Sequence, residues 1–203
     1  MTTAWIALAL ASGDVTFHRD VLPILQRRCQ ECHRPGEIGP MPLLGFEQTR
    51  PWAKAIREAV LAKRMPPWQA DPRHGRFRND TSLTAREIET IASWVDAGAP
   101  AGNPGDAPVP RQFPDGWRAA MPDAVFEMPV EFSVPASGTI SYRYYVVPTN
   151  FTEDKWVELA EVRPGDRQVV HHAIVMVRPP GGGYYRWGEY LAGYAPGMMP
   201  QIW

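Results

Sequence analysis

Cys29-Gln30-Glu31-Cys32-His33 decides how the rest of this chain is read. The stretch has the form C-x-x-C-H and holds the only two cysteines among 203 residues. That spacing is the attachment signature of c-type haem. Each thiol adds across one haem vinyl group, and two intervening residues span the distance between the vinyls along one turn of backbone. The adjacent histidine then lies under the iron as proximal ligand. Two other chemistries use C-x-x-C. A thioredoxin-like redox pair sits at a strand-to-helix turn, whereas residues 20–28, before the first cysteine, have a helical pattern. A zinc site needs two further ligands, and no second C-x-x-C or nearby histidine pair supplies them.

The flanking sequence organises a first domain over residues 14–98. Val21, Leu22 and Leu25 recur at helical spacing ahead of the cysteines, with Pro23 tolerable in a first turn. Arg34-Pro35-Gly36-Glu37-Ile38-Gly39-Pro40 reads as a loop. A second helix is expected from about Arg50, with Pro51 at its first position, a stripe through Trp52, Ile56, Ala59, Val60 and Lys63, and a stop before Met65-Pro66-Pro67-Trp68. A third is expected from Thr84, where Thr84-Ala85-Arg86-Glu87 matches a capping box. Ile88, Ile91, Trp94 and Val95 would be its buried face and Gly98 its terminator. An iron held by one histidine needs a second axial ligand to shuttle electrons, and a methionine thioether raises the potential. Met65, before two prolines, is the candidate; Met41, also before a proline, is its rival, and His74 a weaker one.

Three helices, an early C-x-x-C-H and a late Met-Pro-Pro resemble the class I cytochrome c fold, from about Phe17 to Pro100. Asp20-Val21-Leu22-Pro23-Ile24-Leu25, Met65-Pro66-Pro67-Trp68 and Trp94-Val95-Asp96-Ala97-Gly98-Ala99-Pro100 look like a bacterial subgroup of these domains that is often fused to other exported domains. The resemblance implies haem c on Cys29 and Cys32, axial ligation by His33 and Met65, and electron transfer.

Residues 99–116 carry Pro100, Gly102, Pro104, Gly105, Pro108, Pro110 and Pro114 with no apolar periodicity, the pattern of a semi-extended linker. Beyond it, over residues 117–203, the apolar period falls from 3.6 to 2. Residues 140–147, 155–162 and 168–178 are strand candidates separated by turn residues, which predicts an antiparallel β domain, a sandwich. The expected class is therefore an α+β multidomain protein: a small all-α domain followed by a partial β-sandwich.

Within the last strand candidate, Val170-His171-His172-Ala173-Ile174 sets two imidazoles side by side. Imidazole suits copper. Neighbours in a regular strand point to opposite faces, so one metal can take both only at a bulge or a strand end; otherwise they are two structural histidines. From about Asp123 the chain resembles the N-terminal β domain of the copper type II, ascorbate-dependent monooxygenases, which include peptidylglycine hydroxylating monooxygenase and dopamine β-monooxygenase. The matching pieces are the stretch around His171 and His172 and Leu191-Ala192-Gly193-Tyr194-Ala195-Pro196-Gly197. The resemblance implies that the pair supplies two of three histidines to an electron-transferring copper. No histidine follows His172. The third ligand is therefore missing, as is the H-x-H of the family's oxygen-activating copper; Met198 and Met199 stand without it. By this resemblance the chain stops mid-domain and is not catalytically complete as it stands: either it is a fragment of a copper monooxygenase with the haem as built-in reductant, or it is a form that has lost oxygenase capacity.

Bulk properties agree with an electron-transfer reading and narrow the partners. The net charge of −1 gives no footprint for nucleic acid. The partner expected is a redox protein or a small reductant. Residues 1–13 look like part of a secretion signal, with Ala9-Leu10-Ala11 as the cut; an ordinary buried N-terminal segment is the other reading. The apolar run is too short to span a bilayer. Haem of this type is attached on the exported side of a membrane, so a periplasmic or otherwise exported protein is expected. The competing function is a non-catalytic haem protein whose β domain binds a partner or polymer through Tyr184, Tyr185, Trp187 and Tyr190.

Overall fold

A computed structural model describes residues 15–179 and 188–203. Residues 1–13, and with them the expected signal, lie outside the described residues, as do Tyr184, Tyr185 and Trp187. The chain divides into two compact units, Met1–Arg111 and Gln112–Trp203. The first is helical and the second carries small antiparallel sheets, so the fold mixes helices and strands in separate units.

In the first unit a π-helical turn, Phe17–Val21, leads directly into α1, Leu22–Arg28. Pro23 sits in the first turn, where its missing N–H costs nothing. Phe17, Val21, Leu22, Ile24 and Leu25 are buried, as the helical spacing requires. The second helical stretch begins earlier than expected. Gly45 starts it, α2 covers Phe46–Thr49, Arg50–Trp52 tighten into a 3₁₀ turn, and α3 continues as Ala53–Leu61. Pro51 is the reason for the break in pattern, because it cannot donate to a carbonyl four residues back. α3 buries Ala53, Ile56 and Val60, while Trp52 and Lys63 are exposed.

α4, Ala85–Asp96, opens on the expected capping box. The Thr84 hydroxyl accepts from the Glu87 N–H at 3.2 Å, and the Glu87 carboxylate accepts from the Thr84 N–H at 2.9 Å. Ile91 and Trp94 are buried, with Ile88 and Val95 packed at the core's edge. The helix ends at Gly98, φ +87°, with Gly98 N–H on the Val95 carbonyl and Ala99 N–H on the Trp94 carbonyl. This double closure is a Schellman cap.

The segment expected to be linker is instead divided. Residues 99–111 belong to the helical unit. Phe17 N–H donates to the Pro100 carbonyl, His18 N–H to Ala101, and the Gln26 amide to Val109. Arg111 donates to the Gln26 carbonyl at 2.7 Å and pairs with Glu31. Gly102, φ +76°, passes so close to Thr16 that a Cβ would stand 2.5 Å from the threonine Cβ. Composition alone reads this stretch as a semi-extended linker because apolar periodicity is absent; it is held to the unit by bonds to its backbone and by the Arg111 side chain.

In the second unit β1, Leu159–Ala160, pairs antiparallel with β4, Gln201–Ile202. β2, Ala173–Val177, pairs antiparallel with β3, Glu189–Tyr194, with an irregularity between Val175 and Met176. Each sheet has two strands. Residues 140–147 alternate as a strand would but form no ladder, and of 168–178 only Ala173–Val177 does. Alternation fixes which face a side chain takes; it does not supply the partner whose N–H and C=O groups complete a ladder. Among the described residues, no helix is long and apolar enough to cross a membrane.

Two outcomes follow for α4. Thr84→Ala should cost about 1 kcal/mol, read as a lower urea midpoint of the helical unit by far-ultraviolet circular dichroism. Glu87 carries an acid-dependent share. Burial pushes its carboxyl up, but the Thr84 N–H and hydroxyl together with Arg28 outweigh this and hold it below the usual value of 4.5. Its contribution is complete above that value and is lost as pH falls below it. Urea midpoints measured from pH 6 to 3 should fall less steeply in Glu87→Gln than in the native chain.

Candidate functional site

The cysteine motif is a helical turn set on the end of α1. Cys29 N–H donates to the Leu25 carbonyl at 2.9 Å, Cys32 N–H to Cys29 at 3.1 Å and His33 N–H to Cys29 at 2.9 Å. The two cysteines, neither in a disulfide, thus lie one turn apart with the histidine directly after them. The following loop is stitched back across this turn. Gly39 N–H donates to the Cys32 carbonyl, Leu43 N–H to the His33 carbonyl, and the buried Gln30 amide to the Leu43 carbonyl, each at 2.9 Å. Gly39 allows the close pass. A Cβ there would stand 2.6 Å from the Cys32 oxygen and 2.7 Å from His33 Nδ1.

The central feature is the orientation of His33. Its Nδ1 lies 3.2 Å from the Met41 carbonyl oxygen. A carbonyl only accepts, so Nδ1 carries the proton and Nε2 keeps the lone pair. A metal-ligating histidine is held in this way, with one ring nitrogen donated to a backbone acceptor and the other presented to the metal. Burial pushes the His33 pKa below 6.5 and so favours the neutral imidazole, while the hydrogen bond to the Met41 carbonyl partly opposes this.

Charged groups brace the same turn. Arg34 pairs with Glu37 at 2.7 Å and stands 3.8 Å from Glu31. Glu31, inside the motif, also receives Arg111 at 3.2 Å. Both partners of the Arg34–Glu37 pair are largely buried, and it fixes the loop as it leaves His33.

The cysteine environment bears on the competing redox reading. Cys29 is packed against the hydrophobic core, and its thiol is pushed up to about 12, first by burial, then by Cys32 and Glu87, with Arg28 opposing. Catalytic redox pairs have the reverse, a thiolate favoured by nearby positive charge or a helix N-terminus. Cys29 follows a helix C-terminus.

The other expected residues are placed separately. Met65 lies just past α3, its N–H turned back to the Ala59 carbonyl and its side chain 43% exposed. Met41 is half-buried against the core. His74 is exposed in a short 3₁₀ turn, Pro72–His74. In the second unit, His171 and His172 precede β2 and so lie outside its ladder, at a strand end. Their Nδ1 atoms are 3.0 Å apart. His172 Nε2 lies 3.2 Å from the Tyr142 hydroxyl, and the two rings meet edge to face at 5.6 Å. Among the described residues no group of three His, Cys, Asp or Glu side chains could hold a metal ion.

Two participants were not named by sequence reasoning. The Met41 carbonyl acts through its backbone, which residue type does not advertise; Gly39-Pro40 in the loop was the available signal. Tyr142 meets His172 across 30 positions of sequence, with no local pattern linking them. No protein-family model, curated protein or solved structure matches this chain.

In the haem-free, reduced chain, Cys29 should react with iodoacetamide at neutral pH at least about tenfold more slowly than an unperturbed thiol. Peptide mapping after timed alkylation reads this directly. Rapid alkylation of Cys29 would restore the redox-pair reading.

Proposed function

We propose that this chain is an exported c-type haem electron-transfer protein with a class I cytochrome c-like first unit. Its second unit is read as an incomplete copper monooxygenase-like β module, a partial sandwich, to which the haem supplies electrons. The observation that carries the haem assignment is His33: its Nδ1 is committed to the Met41 carbonyl, which leaves Nε2 as a metal donor one residue after two thiols spaced by a helical turn. This donor set fits haem c. Cys29 and Cys32 would form the two thioethers, and His33 would bind iron through Nε2.

Met65 would be the second protein ligand to such a haem. Met41 is tethered by its own carbonyl to the Nδ1 edge, behind the ring. Met65 has no such tether and is exposed. When bound, the haem supplies a one-electron Fe(II)/Fe(III) couple. With His33 and Met65 both engaged, the haem would transfer electrons without binding a substrate.

His171 and His172 would hold the copper that receives these electrons. Their Nδ1 atoms lie 3.0 Å apart, a hydrogen-bond separation, and among the described residues no third His, Cys, Asp or Glu joins them.

The test is to produce the chain with a haem-attachment system in the periplasm. Denaturing electrophoresis should show haem fixed to the polypeptide, and Cys29→Ala with Cys32→Ala should abolish this. Met65→Ala should keep the haem but lose the low-spin His/Met spectrum. A chain that takes up no covalent haem would overturn the proposal, and an unchanged Met65→Ala spectrum would move the sixth position elsewhere.

A further inference from the structure

We propose that Gln30, the first residue between the two cysteines, is a positioning residue for His33. Its buried amide holds the loop that carries the Met41 carbonyl against His33 Nδ1, and so sets how strongly the imidazole donates to iron. This inference rests on the reading of Cys29, Cys32 and His33 as a haem site.

For the thiols, the two residues inside C-x-x-C-H are spacers, and their side chains are open to other uses. Glu31 turns to Arg34 and Arg111. Gln30 turns into the fold and is 2% exposed. An apolar side chain could fill such a place, whereas a buried amide must find partners there. Gln30 Nε2 donates to the Leu43 carbonyl at 2.9 Å. A carbonyl only accepts, so the nitrogen end of the amide has to face it. The same rule puts the proton on His33 Nδ1, opposite the Met41 carbonyl at 3.2 Å. Each bond therefore runs in one direction only.

Covalent geometry joins the two bonds. The Met41 carbonyl lies in the planar peptide unit shared with the Pro42 nitrogen, and the Pro42 ring fixes its own φ. The ψ of Pro42 is the soft torsion left between that unit and the one bearing the Leu43 N–H. Leu43 is in turn pinned. Its N–H donates to the His33 carbonyl at 2.9 Å, its carbonyl takes the Gln30 amide, and its side chain is buried in the core. Gly39 N–H on the Cys32 carbonyl fastens the other end of the stretch. The bonds from Gly39 and Leu43 are backbone bonds that many sequences could make; the Gln30 bond depends on its side chain. When His33 ligates iron, a firmly held acceptor at Nδ1 makes the imidazole more basic and favours the ferric state, and a loosened one raises the reduction potential.

The full chain with covalent haem is compared with Gln30→Met, which keeps the length of the side chain and removes the donor. Gln30→Leu, a shorter apolar group in the same place, is the second variant. Thr84→Ala is the control, because it weakens the helical unit at α4 and leaves the loop bonds intact. Redox titration of the haem-bearing fraction gives the midpoint potential. Proton magnetic resonance of the ferrous state gives the exchange of the His33 Nδ1 proton with water. Both Gln30 variants should raise the potential and exchange this proton about fivefold faster, while Thr84→Ala leaves the potential in place. If either quantity stays native in both Gln30 variants, or if Thr84→Ala shifts the potential equally, the role of Gln30 is overturned and the haem reading stands. A native chain that takes up no covalent haem would overturn that reading and this inference with it.

Discussion

The Pro100 carbonyl is the point on which the helical unit closes. It accepts the Phe17 N–H and the Trp94 indole N–H, each at 3.0 Å, using both of its lone pairs. Phe17 and Trp94 are fully buried, and their ring centres lie 5.7 Å apart, with Phe46 against Phe17 at 5.5 Å. One acceptor thus joins the entry to α1, the end of α4 and the following segment around a single aromatic cluster. A buried indole N–H without an acceptor would cost on the order of 1–3 kcal/mol. Proline contributes a carbonyl here and no donor that would itself need a partner.

The cysteine turn inherits its rigidity from that clamp. α1 is packed by its apolar face onto the core, and its last turn runs on into Cys29 without interruption. Arg28 reaches Glu87, which is itself committed to the α4 cap, so the helix carrying the motif is tied to the helix carrying Trp94. The loop bonds from Gly39, Leu43 and Gln30 then hold the turn from its other side. An orientation as specific as His33 Nδ1 toward one carbonyl needs both restraints, since a ring free to flip would present either nitrogen.

The two candidate centres differ in how they are built. His33 is set by packing and backbone bonds, with its donor nitrogen chosen by an acceptor on a loop. His171 and His172 stand exposed before a short strand and are organised by contact with one another and with Tyr142.

Much of the helical unit was legible in sequence. The capping box at Thr84, the buried stripe of α4, the glycine stop at Gly98 and the apolar face of α1 all arise from neighbours within a turn or two, where local chemistry is sufficient. The C-x-x-C-H spacing and the paired histidines were legible as well, because they are one-dimensional. The early start of α2 at Phe46, the anchoring of residues 99–111 and the unpaired course of residues 140–147 were not. Each depends on whether a distant backbone group is available, and periodicity carries no information about that. The sequence by itself determined which atoms could ligate: two thiols, one proximal imidazole, a thioether and an imidazole pair. Only the tertiary structure decided how they are presented, because a ring's free nitrogen is chosen by whatever acceptor the fold brings to its other side, as the Met41 carbonyl does for His33.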